Sequence, residues 1–488
     1  MGCFPSRSSH DKNQDNELPE ETSISFLKKS SNFQKIDTIE AFLIHFPKLF
    51  IKPFLNTSCK YELSQETQSF GHFGLHSRVN KALIKASKIP VLIEQISLNE
   101  IDSKSQTLIK SFFSNLDFIR AIDHPNILKI IDIYEEKEGL YIVYEDFIGG
   151  VDLYDKICEM GGFSEKHAGL LLKDLLSILT YLHNQGHSLN KISAEAFHVR
   201  FYKGAYQLKL IDLTLITPIA ILLENIKDNV KNQGFIRDFY SPPEDPDIKS
   251  VGKYKRESFS LGVLFFLMLK GNFPFNQEEI DVSEKEELGE FYNISYEDLE
   301  VNEETCRLLK GLLEIDIEKR ISIEEARKSV FFKEVSRNIR KNIEDIRKNA
   351  NLECFMKPIY GFFKVLLVRF FADQIEKDNL LEIFQEIDED SDGFIDGGLF
   401  GLETIRKNLG FEDFLILSLR KWNLEENKAK DFVFMEISKG NAKVLILENL
   451  WEFMGKELIE KEVLERLFKE ISRPNIQVFL KDFEKIDF

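Results

Sequence analysis

Cysteine is scarce in this sequence. The five residues, Cys3, Cys59, Cys158, Cys306 and Cys354, are scattered, odd in number and without a C-x-x-C pair. A disulfide framework is thereby excluded, and a reducing, cytoplasmic compartment is expected. Long apolar runs are lacking too. The longest, Leu261 to Leu269, is about half of the ~20 residues needed to cross a hydrocarbon core, and the start carries no secretory apolar segment. Positive charge is in deficit: 64 Lys and Arg stand against 82 Asp and Glu, a formal charge of −18. Coating a nucleic acid takes clustered cations that displace counterions from phosphate, so no nucleic-acid partner is expected. An acidic chain suits cations or basic peptides instead.

What is present is ordinary globular material, 43% hydrophobic and 30% charged. At about 150 residues per domain, 488 residues suggest two to four domains. The chain opens Met1-Gly2-Cys3-Phe4-Pro5-Ser6, the pattern for N-myristoylation at Gly2, with Cys3 beside it as a palmitoylation candidate. One acyl chain binds weakly, so the second matters to any membrane attachment. Residues 1–32, polar and poor in apolar groups, read as a disordered tail carrying this anchor.

Short β-branched and aromatic runs between Tyr61 and Gln95 predict strands, and 3.6-residue periodicity from Ser164 to Phe332 predicts helices. A basic, apolar-striped junction occupies 333–377, with Arg337-Asn338-Ile339-Arg340-Lys341 and Phe362-Phe363-Lys364-Val365-Leu366-Leu367. Such a stripe is expected to lie on a partner surface. Residues 378–488 are read as a further helical domain.

Asp123-His124-Pro125-Asn126, Tyr141-Ile142-Val143-Tyr144-Glu145, Gly149-Gly150, Tyr181-Leu182-His183, Ser241-Pro242-Pro243-Glu244, Phe259-Ser260-Leu261-Gly262-Val263 and Asp316 to Ser322 follow one another at telling spacings. With these motifs the stretch 61–332 resembles the protein-kinase domain of calcium-dependent and calmodulin-dependent kinases. The resemblance implies a bilobal α+β kinase fold, in which each reactive position bears separately on activity. Ser69-Phe70-Gly71-His72-Phe73-Gly74 keeps two glycines of a phosphate-covering loop, making Gly71 and Gly74 nucleotide-binding candidates. Glu94 stands at the phosphate-binding lysine of Val91-Leu92-Ile93-Glu94, and a carboxylate there repels phosphates by several kcal/mol at low dielectric. Asn115 falls where the lysine's helix glutamate would be.

In the catalytic loop, Lys191 replaces the aspartate base, Ser193 the lysine that steadies the transferred phosphate, and Ala196 the magnesium-binding asparagine. An ammonium cannot take up the substrate's hydroxyl proton. Asp212 of Asp212-Leu213-Thr214 survives as a magnesium-ligand candidate, with a capping carboxylate as the other reading. A pseudokinase is therefore expected, holding ATP and Mg²⁺ weakly or not at all. The enzyme alternative is an active Ser/Thr kinase with its lysine relocated to Lys81, Lys85 or Lys88.

Asp388-Glu389-Asp390-Ser391-Asp392-Gly393-Phe394-Ile395-Asp396 has EF-hand spacing, so Asp388, Asp390, Asp392, Phe394 (by its carbonyl) and Asp396 are calcium-ligand candidates. Position 12 is Leu399 instead of a bidentate glutamate, so calcium binding should be weak. The segments Phe434–Asn441 and Phe468–Asn475 keep hand-like helix flanks without carboxylates at ligand positions. They are read as structural helix pairs, with one hand of the usual four missing or collapsed. Lipid motif, kinase-like domain, basic junction and degenerate EF-hand (calmodulin-like) tail follow the order of the calcium-dependent protein kinases of plants and protists. That resemblance implies a junction which calcium withdraws from the kinase cleft. A scaffold bound to protein partners, at a membrane or in the cytoplasm, is the leading expectation, and a calcium sensor acting through its tail is a further one.

Overall fold

Alternating β-branched residues build the first sheet, and its central strand shows why it folds there. Strands β1 (Tyr61–Gln68), β2 (Ser77–Ile84), β3 (Pro90–Ile96), β4 (Ile130–Glu136) and β5 (Gly139–Glu145) form an antiparallel sheet in the order β1-β2-β3-β5-β4. In β3, Val91 and Ile93 face one side while Leu92, Glu94 and Ile96 face the other, so a strand covered on both sides reads as an almost unbroken apolar run. Helix α1 (Leu116–Ala121) lies on the Leu92–Ile96 side and joins its apolar cluster.

This computed structural model describes residues 61–68, 77–96, 112, 114–136, 139–147, 149–219, 239–243, 253–275, 294, 296, 299–334, 346–347, 350, 352–419, 426–441, 443–454, 459–469, 471–472, 477–479 and 483. Gly2, Cys3, Gly71, Gly74, Glu244 and the basic run 337–341 lie outside the described residues.

The second lobe is built on two helices. In α2 (Leu153–Met160), Asp152 caps the first turn, and in α3 (Glu165–Asn184), Ser164 accepts from the His167 N–H. Helix α3 buries every residue from Ala168 to Leu182 except Lys173 and Thr180. Helix α4 (Lys253–Lys270) packs across it, apolar enough in Leu261–Leu269 to sit inside the lobe. The hairpin of β8 (Phe197–Tyr202) and β9 (Ala205–Leu210), joined by short β6 (Val151–Asp152), carries the loops of the cleft. Arg320, only 1% exposed, donates to the carbonyls of Lys255, Glu314 and Ile315, tying the α5 (Glu303–Leu312) and α6 (Ile323–Arg327) region to α4.

Helix α7 (Pro358–Phe371) corrects the expectation that the apolar stripe of the junction lies on a partner surface. Every residue from Ile359 to Phe371 but Tyr360 is buried, and α7 is the hub against which α9 (Phe411–Ser418), α10 (Glu426–Ile437) and α12 (Lys461–Phe468) pack. Seven of its fourteen residues are aromatic or leucine at positions all round the helix, and a helix apolar on all sides has no solvent face to keep. Its cluster runs without a break into the outer face of the first sheet, through Tyr61, Ala82, Val91, Ile131, Tyr134 and Tyr141. The stripe covers this chain's own core.

Beyond α7, helix α8 (Gln374–Ile387) leads into the acidic loop, and the strand β11 (Ile395–Asp396) pairs with β12 (Asn408–Leu409). Between these strands Gly397–Phe400 makes one tight turn of 3₁₀-helix where an EF-hand would start its exit helix. The hand is shortened at that point, and its partner strand arrives early. The two degenerate segments form a second pair, since β13 (Val444–Ile446), which leads into α11 (Leu447–Met454), pairs antiparallel with β14 (Gln477–Phe479).

Candidate functional site

The cleft between the lobes is where the substituted residues gather. Glu94 is fully buried, and the Tyr144 hydroxyl on neighbouring β5 donates to its Oε2 at 3.0 Å. Burial, then the Glu94 and Asp212 carboxylates, push the Tyr144 phenol well above its ordinary range. Two carboxylates thus act on one neutral phenol at the back of the cleft. Anions such as phosphates meet negative charge there.

Asn115 takes over the positioning that a lysine–glutamate pair would give. Its Nδ2 donates to the Ile216 carbonyl at 3.1 Å, and its Oδ1 lies 3.1 Å from His187 Nε2. The His187 ring stacks on Phe118 of α1, and burial lowers its pKa, favouring the neutral ring that such stacking holds. Helix α1 is therefore tied to β7 (His187–Leu189) and β10 (Ile216–Pro218), strands that pair with each other. No ion pair with β3 is needed for that.

The catalytic loop is anchored from beneath by Glu257 of α4. Its Oε1 accepts from Ser188 Oγ at 3.0 Å and from the Leu189 N–H at 2.8 Å, while Oε2 lies 2.6 Å from His183 Nε2. On the loop itself Lys191 is exposed, and Ser193 and Ala196 are buried. Asp212 caps the 3₁₀ turn Leu213–Leu215, its Oδ1 accepting from the Thr214 N–H at 3.0 Å and Thr214 Oγ1 at 2.6 Å. That is the capping alternative, which uses one of its two oxygens.

Of the three lysines considered for relocation, Lys88 pairs with Glu62 at 2.8 Å on the exposed end of the sheet, and Lys85 is exposed near the same glutamate. Lys81 differs. On β2 it stands opposite Leu92, two residues from Val79 opposite Glu94, and so shares their cleft-side face. Its charge also reaches Asp146, whose carboxyl is raised mainly by burial and lowered in part by Lys81.

In the acidic loop, Asp388, Asp390 and Asp392 bring oxygens within 4.8 Å of one another. Asp388 is buried and accepts from the Asp392 and Gly393 N–H groups at 3.0 Å each, and burial raises its carboxyl to about 7 against those bonds. Phe394 stacks on Tyr181 of α3, while exposed Asp396 caps Gly398. Leu399 packs against the apolar cluster around α7. Glu403, the conceivable substitute ligand, is exposed on the turn beyond. The residues fit a divalent ion in part: three carboxylates converge, and the bidentate twelfth position is apolar. The loop lines a cleft of about 1400 Å³ against α3 and α6, and Arg327 of α6 donates to the Asp390 carbonyl.

Fold and cleft together are those of a protein-kinase domain, and the chain belongs to the protein kinase domain family, whose model matches residues 65–332, more than half of its length. Within that family its similarity is to calcium-dependent protein kinases. It is 27% identical over 345 residues to calcium-dependent protein kinase 3 of Plasmodium berghei (strain Anka), covering 69% of this chain and 58% of that one. It is 25% identical over 347 residues to calcium-dependent protein kinase 5 of Plasmodium falciparum (isolate 3D7), covering 69% and 57%. The chain thus spans less than two thirds of the length of the curated relatives it matches.

Counting from motifs nominates Glu94, Asn115, Lys191, Ala196 and Asp212. It misses the Tyr144 partner of Glu94, the His187 partner of Asn115 and the anchoring Glu257. Pairing β3 with β5 places Glu94 opposite Ile142, so Tyr144 is a diagonal neighbour that a register alone could have nominated. His187 lies 72 residues from Asn115 and carried no such signal.

Proposed function

We propose that this chain is a catalytically silent kinase-like scaffold, a regulatory protein that presents a kinase framework to protein partners without transferring phosphate. The observation that carries the reading is the pair of inverted charges: exposed Lys191 in the catalytic loop, and buried Glu94 bound to Tyr144 at the back of the cleft. Phosphoryl transfer rests on electrostatic positioning and a proton acceptor, and these substitutions remove both. ATP with Mg²⁺ is held weakly or not at all, with Asp212 as the remaining ligand oxygen. Calcium is held weakly by Asp388, Asp390 and Asp392. Attachment to a membrane runs through acylation of Gly2 and Cys3, and the protein otherwise works in the cytoplasm.

The test is radiolabelled ATP incubated with purified full chain, a generic basic protein substrate, and Mg²⁺ or Mn²⁺. Incorporation no greater than in a protein-free blank is expected. Incorporation that disappears in Asp212→Ala would establish the rival reading, an active calcium-regulated Ser/Thr kinase. Lys81 on the cleft-side face of β2 is the observation favouring that rival, and Lys81→Ala would abolish the same signal.

A further inference from the structure

The acidic loop gathers more negative charge than its own backbone can offset. Asp388, Asp390 and Asp392 bring oxygens within 4.8 Å of one another, and exposed Glu389 and Asp396 flank them. Like charges so close repel, and an EF-hand offsets them with a divalent ion that a bidentate glutamate at the twelfth position helps to hold. Here that position is Leu399, packed against the apolar cluster around α7. A cation of the chain itself stands at the loop. Arg327, the last residue of α6 and half-buried, donates from Nη1 to the Asp390 carbonyl, and its charge also acts on Asp392.

The helix that carries Arg327 is well fixed. Ser322 and Glu325 close a capping box at the start of α6, Ala326 is fully buried, and the helix packs on α3 and α4. The next cation along the chain, Lys328, bonds Glu324 Oε1 at 2.6 Å, one turn back on the same helix. Of the two neighbours, Arg327 is the one that reaches across. On the other side, Gly393 (φ +84°) seats the loop so closely that a Cβ would meet His124 Cδ2 at 2.5 Å and Cδ2 of Tyr181, on α3, at 3.0 Å. Both α6 and the loop thus rest on α3, and in this arrangement the guanidinium and the three aspartates line one cleft of about 1400 Å³.

We propose that Arg327 is the resident counter-cation of the acidic loop and that it sets the loop's calcium affinity: the kinase-like lobe supplies a positive charge of its own, and an ion entering among the three aspartates works against it. The proposal rests on the reading that Asp388, Asp390 and Asp392 hold calcium weakly, and it names a second cause of that weakness beside Leu399. The coupling is reciprocal, so whatever factor Arg327 takes from calcium affinity, calcium takes from the contact of Arg327 with the loop.

Calcium titration of the purified full chain, followed by calorimetry, tests it. Arg327→Gln should tighten calcium binding about tenfold, the order expected of one unit charge facing a divalent ion across a partly hydrated cleft. Arg327→Lys, which keeps the charge, should stay within about twofold of the unmutated chain, and so should Lys328→Gln, whose charge is already paired with Glu324. Adding Asp388→Ala to Arg327→Gln should abolish the gain. Weaker binding in Arg327→Gln would overturn the proposal, as would a gain that survives Asp388→Ala or an equal gain in Lys328→Gln, which would reduce the effect to bulk charge. Binding of equal strength in the unmutated chain and Arg327→Gln would overturn it alone, whereas no binding by either would overturn it together with the weak-calcium reading. Melting curves in a chelator check that each variant folds; should Arg327→Gln fail, Arg327→Ala is titrated in its place with the same outcomes.

Discussion

Glu94 and Tyr144 show how one substituted side chain is accommodated by another. A buried carboxylate needs donors, and the phenol diagonally across on β5 supplies one at 3.0 Å. Tyr144→Phe keeps the ring and deletes that donor, so a loss of about 1–3 kcal/mol is expected, read as a lower urea midpoint. Glu257 is more exposed to test, since its two oxygens serve Ser188, the Leu189 N–H and His183. Glu257→Ala should cost at least about 3 kcal/mol, with hydrogen bonds to a charged group worth roughly 1.5–3 kcal/mol each. An unchanged denaturation curve would show that the loop is anchored elsewhere.

Asp123 gives the residue scale a pH dependence. Burial pushes its carboxyl up to about 7, against the pull of Lys129 and with Glu412 and Asp413 adding to the rise. A carboxyl raised in the folded state holds a proton that the unfolded chain releases near pH 4, so stability falls as pH rises from about 4 to 7 and is flat above. Glu412 has the opposite sign: although burial opposes it, Arg369 and Lys129 hold it at about 2, and its contribution is lost only as pH falls below about 4.5. His124 beside it has the opposite sign: burial lowers it from 6.5 to about 3, so the unfolded chain takes up a proton that the folded chain does not, and its contribution rises with pH up to about 6.5, partly offsetting the Asp123 slope. Asp388, raised like Asp123 but in the acidic loop, adds its own slope. Comparing melting curves of Asp123→Asn with the unmutated chain at pH 5 and 7 isolates the first; an unchanged difference would refute the assignment.

At the scale of elements, α7 carries the largest burden. Phe363 is fully buried in it and meets Phe362 and Phe483 edge-on. Phe363→Ala should cost about 3–5 kcal/mol through lost contact and the cavity left behind. Because the cluster of α7 includes the outer sheet face, that loss should lower protection in β3 and β5 as well as in the C-terminal helices. Hydrogen exchange confined to the C-terminal helices would contradict a shared core. The strands of the first lobe, α3 and α4, and the acidic loop were legible because each follows from local periodicity or spacing. The role of α7 was not: an apolar segment flanked by basic residues reads as a surface stripe until the sheet face that it covers is known. The shortened hand was legible only as a missing interval, and the early partner strand β12 had no pattern of its own in two residues, Asn408 and Leu409.

For the whole molecule, ligand linkage is the sharpest expectation. A ligand that binds only the folded chain raises the melting midpoint in proportion to the logarithm of its concentration over Kd. Millimolar ATP with Mg²⁺ should therefore leave the midpoint unchanged, and calcium should shift it only at millimolar levels, the shift vanishing in Asp388→Ala. A nucleotide shift at micromolar concentration would show that the cleft tolerates Glu94.

The kinase-like framework could be read from the chain alone, because motifs in register carry it within a few residues of one another. Tertiary structure alone decided which side chains meet: Tyr144 beneath Glu94, His187 beside Asn115, and Asp123 capping a helix 289 residues away. Such pairings depend on where distant backbones meet, and a hydrogen bond or a gap the size of one missing Cβ has no counterpart in local periodicity.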